Sequence, residues 1–214
     1  MQREKKSQLA FALQNKLLVR FASVLERGTI TGYVLDIGPQ FFLIALISDD
    51  VRPNGFQCYR LSDIRKLRPD KYARFHETVL KKRGLRLPKK PPIDVSSLAK
   101  LLLSANHAFP LVTIHREKAK PGTCEIGRVV EVKKGRITLL EIGPDAAWDD
   151  RLETYRLSEI TRLDFGGGYE EALYLIGASK YERAVDLIWN PSKPRKARKH
   201  LSSEMVMAVG RTGK

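Results

Sequence analysis

Short apolar runs, separated by glycine, proline, aspartate and asparagine, recur along the chain. They fall at about 17–25, 30–37, 41–47, 55–61 and 64–68, and again at about 110–116, 123–132, 136–142, 153–157 and 160–164. Val, Ile, Leu, Phe and Tyr dominate them, and each is too short for a stable helix, so the pattern predicts β-strands. "FFLIALI" (41–47) is apolar at every position and therefore needs cover on both faces. "KKGR" (133–136) reads as a hairpin tip in which Gly135 supplies the positive φ of a tight turn. "LSDI" (61–64) and "LSEI" (157–160) read as very short connectors, with Ser62 and Ser158 capping a single helical turn.

Helical periodicity appears around these runs. Residues 4–16 place Leu9 and Leu13 on one stripe that continues to Leu17. Residues 71–82 pair Phe75 with Val79 at i,i+4. Residues 94–106 carry Leu98, Leu101, Leu102 and Leu103 behind a cap at Asp94 or Ser96. Residues 169–189 offer Ala172, Leu173 and Ile176, then Ala184, Leu187 and Ile188, with Gly177 dividing two helices.

The strands belong to a repeat. "YRLSDIRKL" (59–67) recurs as "YRLSEITRL" (155–163), "GYVLDI" (32–37) as "GRVVEV" (127–132), and "FLIALI" (42–47) as "ITLLEI" (137–142). The matches keep their order, with a spacing that differs by one residue, which points to internal duplication. The two "IGP" triplets, at 37–39 and 142–144, fall in different loops of this register and are not equivalent. Five short strands in each half, with a tight turn before the last, predict a small sheet that closes on itself to remove its edges. The strand count, spacing and Tyr-Arg-Leu-Ser-(Asp/Glu)-Ile signature resemble the SH3-like and Sm-like small barrels. The second half is also similar to a set of uncharacterised bacterial proteins with "IGRVV…YRLSEITRLDFGGGYEEAL"-type sequences, a resemblance that implies no activity. The expected fold is mainly β with flanking α-helices: two SH3-like or Sm-like small barrels from an internal duplication. The expected organisation is an N-terminal helix, barrel and following helix (1–83), a basic linker and helix (84–108), a second barrel with C-terminal helices (109–190), and a basic tail (191–214).

Composition adds a class of partner. The chain has 214 residues, ample for real cores, and a hydrophobic fraction of 43%, which argues against wholesale disorder. No apolar run approaches the roughly 20 residues of a membrane helix, and Gln14, Asn15, Lys16 and Arg20 interrupt the N-terminal apolar segment. The expectation is a cytoplasmic protein with no membrane partner. Cys58 and Cys124 are too few for a disulfide framework or a thiolate zinc site. Thirty-nine Lys and Arg against 24 Asp and Glu leave a formal charge of +15, which favours anionic partners. "KKRGLRLPKK" (81–90) and "KPRKARK" (193–199) hold eleven of the basic residues and no acid.

Catalytic signals are weak. His76, His107, His115 and His200 show no HxxxH or HxH spacing, and no Gly-x-Ser-x-Gly elbow occurs. Asp145, Asp149 and Asp150 near Trp148 lack the alternating ligands of a calcium loop and read as a solvated acidic loop. Asp164-Phe165-Gly166 lacks every companion motif of a kinase. Gly166, Gly167 and Gly168 precede Glu170 and Glu171, which suit a helix start and repel phosphate. No enzyme activity and no cofactor is expected.

Nucleic-acid binding fits the charge better, since small barrels combine basic grooves with stacking aromatics. The candidates are Arg20, Tyr33, Arg60 and Lys66, with Phe56, in the first half. In the second half they are Arg128, Lys133, Lys134, Arg136 and Arg156. Lys193, Arg195, Lys196, Arg198 and Lys199 extend the set into the tail. Tyr33 aligns with Arg128, so one position would stack in one half and meet phosphate in the other. The competing reading makes the aromatics core and the cations solvated strand residues. The alternative function is a protein-interaction or assembly module, with a protein partner or a homo-oligomer formed through strand edges.

Overall fold

In the computed structural model, which describes residues 2–68 and 70–189, the apolar runs become ten strands. They are β1 (Leu18–Ser23), β2 (Ile30–Ile37), β3 (Phe41–Ile47), β4 (Pro53–Arg60) and β5 (Ile64–Arg68), then β6 (Val112–His115), β7 (Cys124–Lys133), β8 (Arg136–Ile142), β9 (Trp148–Arg156) and β10 (Arg162–Phe165). All join one antiparallel sheet in the order β5-β1-β2-β3-β4-β10-β6-β7-β8-β9. Within each half, four strands follow one another and the fifth returns beside the first. The ladder does not close: β4 pairs with β10 of the other half, and β5 and β9 are the two ends of the sheet. Pairing across the halves satisfies one edge of each, β4 and β10, and leaves β5 and β9 at the ends.

The two halves bend at matching places. Bulges between Val34 and Asp36 and between Val129 and Glu131 interrupt the matched β2–β3 and β7–β8 pairings. Further breaks between Ala45 and Ile47 and between Leu140 and Ile142 precede the next turns. In those turns the Val51 and Ala146 N–H groups each donate to the carbonyl three residues back, Ser48 and Gly143, at 2.9 Å. Both residues are left-handed, at φ 58° and 55°. Gly32 and Gly127 occupy matched positions where strands approach closely. A Cβ on Gly32 would lie 2.5 Å from the Ala45 carbonyl oxygen, and one on Gly127 2.2 Å from that of Leu140.

The all-apolar β3 is covered on both faces. Phe42 and Ile44 pack with Phe21, Tyr59, Leu61 and Ile64 beneath α1 (Gln2–Gln14), which contributes Leu9 and Ala12. Phe41, Leu43 and Ala45 point the other way, into a cluster shared with the second half. There they meet Ile114, Leu139, Leu163 and Phe165, together with Leu101, Leu102 and Ala105 of α3 (Leu98–Ala108). A third cluster joins Leu140, Ile142 and Trp148 to α4 (Gly168–Gly177) and α5 (Tyr181–Trp189), through Leu173 and Ala184. Among the described residues, no helix is long and apolar enough to cross a membrane.

Several local expectations shift. The helix after the first half, α2 (Lys71–Lys82), turns Ala73 and Leu80 inward rather than Phe75, which is 58% exposed. Its cap is Asp70, which accepts from the Ala73 N–H at 2.9 Å. Ser97, rather than Asp94 or Ser96, caps α3 by accepting from Lys100 N–H. The short 3-10 turns Leu61–Asp63 and Leu157–Glu159 have no side-chain cap. Ser62 instead donates to Asp63 at 2.9 Å. The acidic segment around Trp148 is not a loop throughout: β9 begins at Trp148, whose indole donates to the Gly177 carbonyl at 2.8 Å. Gly166 ends β10 at φ 64°, with the Phe109 ring 2.5 Å from where its Cβ would stand, and the chain turns into α4 at Gly168.

Replacing Gly127 by Ala forces a methyl into the Leu140 backbone and is expected to lower stability by roughly 1–3 kcal/mol. The check is a lower urea midpoint at unchanged slope. An unchanged midpoint would mean that the two strands do not need this approach.

Candidate nucleic-acid interface

The β7–β8 hairpin gathers the second-half cations at one corner of the sheet. Lys133 is the cross-strand partner of Arg136, and Arg136 is the partner of Arg156 on β9, so the three side chains share one face. Lys134 sits at the tip between them. All four are exposed. Among the described residues the one ion pair they make is Lys133 with Glu131, at 3.5 Å. Thr138 and Thr154 continue the same face, with their hydroxyls 3.3 Å apart.

This corner is locally unfavourable. Like charges directly opposite each other on neighbouring strands destabilise a sheet. The tip is left-handed at two successive residues, Gly135 at φ 72° and Lys134 at φ 49°. Such a turn favours Asn-Gly, and lysine there is strained.

The other sequence-selected residues are placed differently. Arg20 is 2.6 Å from Asp70 and lies over the Tyr72 ring, 4.9 Å from its centroid. Arg60 reaches across to the second half, donating to the carbonyls of Ile160 at 2.9 Å and Ser158 at 3.1 Å, above the Phe41 ring. Arg128 covers the Tyr181 ring of α5 at 4.9 Å. Tyr33 is half-buried in a cluster with Leu18 and Ile47, and burial pushes its hydroxyl pKa up. Phe56 is half-buried and stacks on Phe165 at 5.9 Å. Lys66 is exposed on the edge strand β5, at φ 49°. Lys193, Arg195, Lys196, Arg198 and Lys199 lie outside the described residues.

A second polar group, at the join between the halves, is absent from the sequence-derived set. Arg162 of β10 forms an ion pair with Glu26, and its Nε faces Asp164 Oδ1 at 3.0 Å. Asp164 Oδ2 accepts from Gln57 at 3.1 Å and lies 3.0 Å from His115 Nε2. Tyr59 donates to Gln57 at 2.8 Å. Burial alone would depress the Arg162 guanidinium, but Asp164, Tyr59 and Glu26 outweigh it and hold it firmly charged. Burial raises the Glu26 carboxyl despite the opposing pull of Arg162. Arg162 and Asp164 share a face of β10, two residues apart; Gln57, Tyr59 and His115 reach them through the β4–β10–β6 pairings, and Glu26 from the loop between β1 and β2, so the full group has no local signature.

Cavities of about 230 and 390 Å³ flank this group, and His115 and Cys124 line both. Cys124 is exposed, yet partial burial of its thiol, followed by Asp164 and Glu125, raises its pKa and keeps it protonated, unlike a nucleophilic thiolate. Among the described residues, no group of three or more His, Cys, Asp and Glu side chains is placed to hold a metal ion. Glu170 and Asn54 already occupy the α4 start: Glu170 accepts from Thr113 at 2.6 Å, and Asn54 accepts from the Gly168 N–H at 3.0 Å.

Compared with protein-family models, curated proteins and solved structures, the chain matches none of them.

Two outcomes follow for the join. Replacing Arg162 by Met strands Glu26 and Asp164 and should cost roughly 3–5 kcal/mol in urea unfolding. A loss under about 1 kcal/mol would show the group to be well solvated. Because the folded Glu26 pKa is raised above its ordinary value of 4.5, its protonated form favours folding. Its contribution is therefore fully present below that pH and declines as pH rises through the raised value. Urea midpoints across this range should show wild type losing ground to Glu26→Gln as pH increases; the opposite slope would refute the assignment.

Proposed function

We propose that this protein binds nucleic acid without catalysing a reaction, that it prefers RNA or other single strands, and that it acts in the cytoplasm. We further propose that its halves are two small-barrel units of SH3-like or Sm-like type related by duplication. The matched sequences, the shared strand connectivity and the bulges at equivalent positions support that descent.

One observation carries the functional reading: Lys133, Lys134, Arg136 and Arg156 stand together, exposed and nearly unopposed by acids, on a turn and strand pair that they strain. Such a cost is expected at functional sites. Three cations on one face and a fourth at the tip neutralise phosphates and release counterions, with no need for a particular base sequence. The Thr138 and Thr154 hydroxyls add uncharged partners for phosphate or ribose oxygens.

Fluorescence anisotropy with a labelled mixed-sequence RNA should show affinity falling steeply with salt. Changing Lys133, Lys134 and Arg136 together to Glu should weaken binding at least about tenfold and flatten the salt slope by roughly one per lost contact. Lys134→Asn separates binding from folding. Asn tolerates the left-handed tip, so stability should hold or rise by up to ~1 kcal/mol while affinity falls. Wild-type protein with no salt-sensitive binding to RNA or single-stranded DNA would overturn the reading.

The second reading is assembly through sheet edges. The β4–β10 pairing favours it, because an edge of this fold already accepts a neighbouring strand there. The open β9 edge carries Asp149, Asp150 and Glu153, and the open β5 edge carries Arg65 and Lys66. A concentration-dependent oligomer in sedimentation would support it, and a monomer at every concentration would not.

A further inference from the structure

We propose a second contact surface, on the outward face of α2, that stacks unpaired bases of a single strand on Phe75 and Tyr72 and holds its phosphates on Lys71, Arg74 and Lys82. This rests on the nucleic-acid reading above and adds to it the part that the basic corner lacks: exposed aromatic rings.

The helix faces two ways. Ala73 and Leu80 are buried with Leu18, Ile47 and Val51. Phe75 is 58% exposed, and Tyr72, at the flank of the helix beside Arg20 of β1, is 53% exposed. Residues three, four and seven apart share a helix face. Lys71, Thr78 and Lys82 therefore line up with Phe75, and Arg74 is adjacent. Single exposed aromatics are common on protein surfaces. Here, two aromatics lie three residues apart among cations.

The acids of this segment are already engaged. Asp70 caps the helix and pairs with Arg20. Glu77 turns to the sheet, where it accepts from the Leu18 N–H at 3.1 Å. Lys71, Arg74, Lys81 and Lys82 have no ion pair among the described residues, so the charged groups of the outward face are all cations. Lys71 already lies 5.3 Å from the Tyr72 ring centroid, which places a phosphate-neutralising group beside a stacking ring, while Arg20, 4.9 Å from the same ring, is held by Asp70. Single-strand binding needs this combination, since every base has a π-face and every nucleotide a phosphate. A lipid surface fits less well: the larger aliphatic residues of α2 face inward, leaving two rings and no broad apolar stripe to enter a bilayer.

The test measures binding of a labelled oligouridine and of an RNA duplex of equal length to wild type and to the double variant Phe75→Ala, Tyr72→Ala. Circular dichroism confirms the fold, and Phe75→Leu, Tyr72→Leu serves as a second variant that keeps apolar bulk without a ring. Both variants should lose about tenfold or more in affinity for oligouridine, the size of a lost base stack, with the salt slope unchanged. Duplex binding should stay the same, because paired bases are not free to stack on a side chain. If wild type binds oligouridine and both variants bind it equally well, this surface is overturned while the basic corner stands. If wild type binds neither nucleic acid, the proposed function and this surface fall together. Loss of binding to anionic vesicles with no change for oligouridine would assign the face to membranes and also overturn the proposal.

Discussion

The antiparallel pairing of β4 with β10 is the contact on which the rest of the molecule depends. It joins Phe56 to Phe165 and Cys58 to Leu163 on one face of the sheet, and Gln57 to Asp164 and Tyr59 to Arg162 on the other. The first face becomes the apolar cluster that both halves share with α3. The second becomes the charged group around Arg162. Arg60 fastens the same join by binding two carbonyls just before β10. One strand pair thus sets a hydrophobic core and a buried electrostatic network back to back. Separating the halves would expose the core, take Arg162 away from Glu26 and cost Asp164 its bond from Gln57.

That join also explains why two similar sequences became different surfaces. On the first half, the face carrying Phe41, Leu43, Ala45 and Cys58 is covered by the second half, and those residues are buried. The matched positions on the second half are Arg136, Thr138, Leu140 and Thr154, at the far end of the sheet. No further half covers them. Leu140 is protected by α4 and α5, and the remainder meets water as charge and hydroxyl. Arg60 and Arg156 diverge in the same way: one donates to carbonyls across the join, and the other stands exposed beside Arg136. The basic corner is the end of a pattern whose matched strand face in the first half, Phe41, Leu43, Ala45 and Cys58, is buried.

Charge is distributed by the same logic. The acids Glu26, Asp164, Asp70 and Glu77 are turned toward guanidinium or amide partners at the join or beneath α2. The cations of the hairpin tip and of α2 are left facing outward. Among the described residues, the hairpin tip and α2 are two places where these outward cations gather.

Much of this was determined by the chain itself. Period, punctuation and the Tyr-Arg-Leu-Ser repeat locate the strands, because strand formation and tight turns depend on neighbours within a few residues. The Lys-Gly hairpin tip and the cations around it are equally local. Tertiary structure alone decided what depends on distant segments: that the ladder runs on from β4 into β10 instead of closing, that Phe75 faces out while Ala73 and Leu80 face in, and that Arg162, Glu26, His115 and Asp164 converge. The reason is physical. Apolar pattern states that a strand or helix must be covered, but only the packed fold settles which segment covers it, and so which polar side chains are carried into the join and which remain in water.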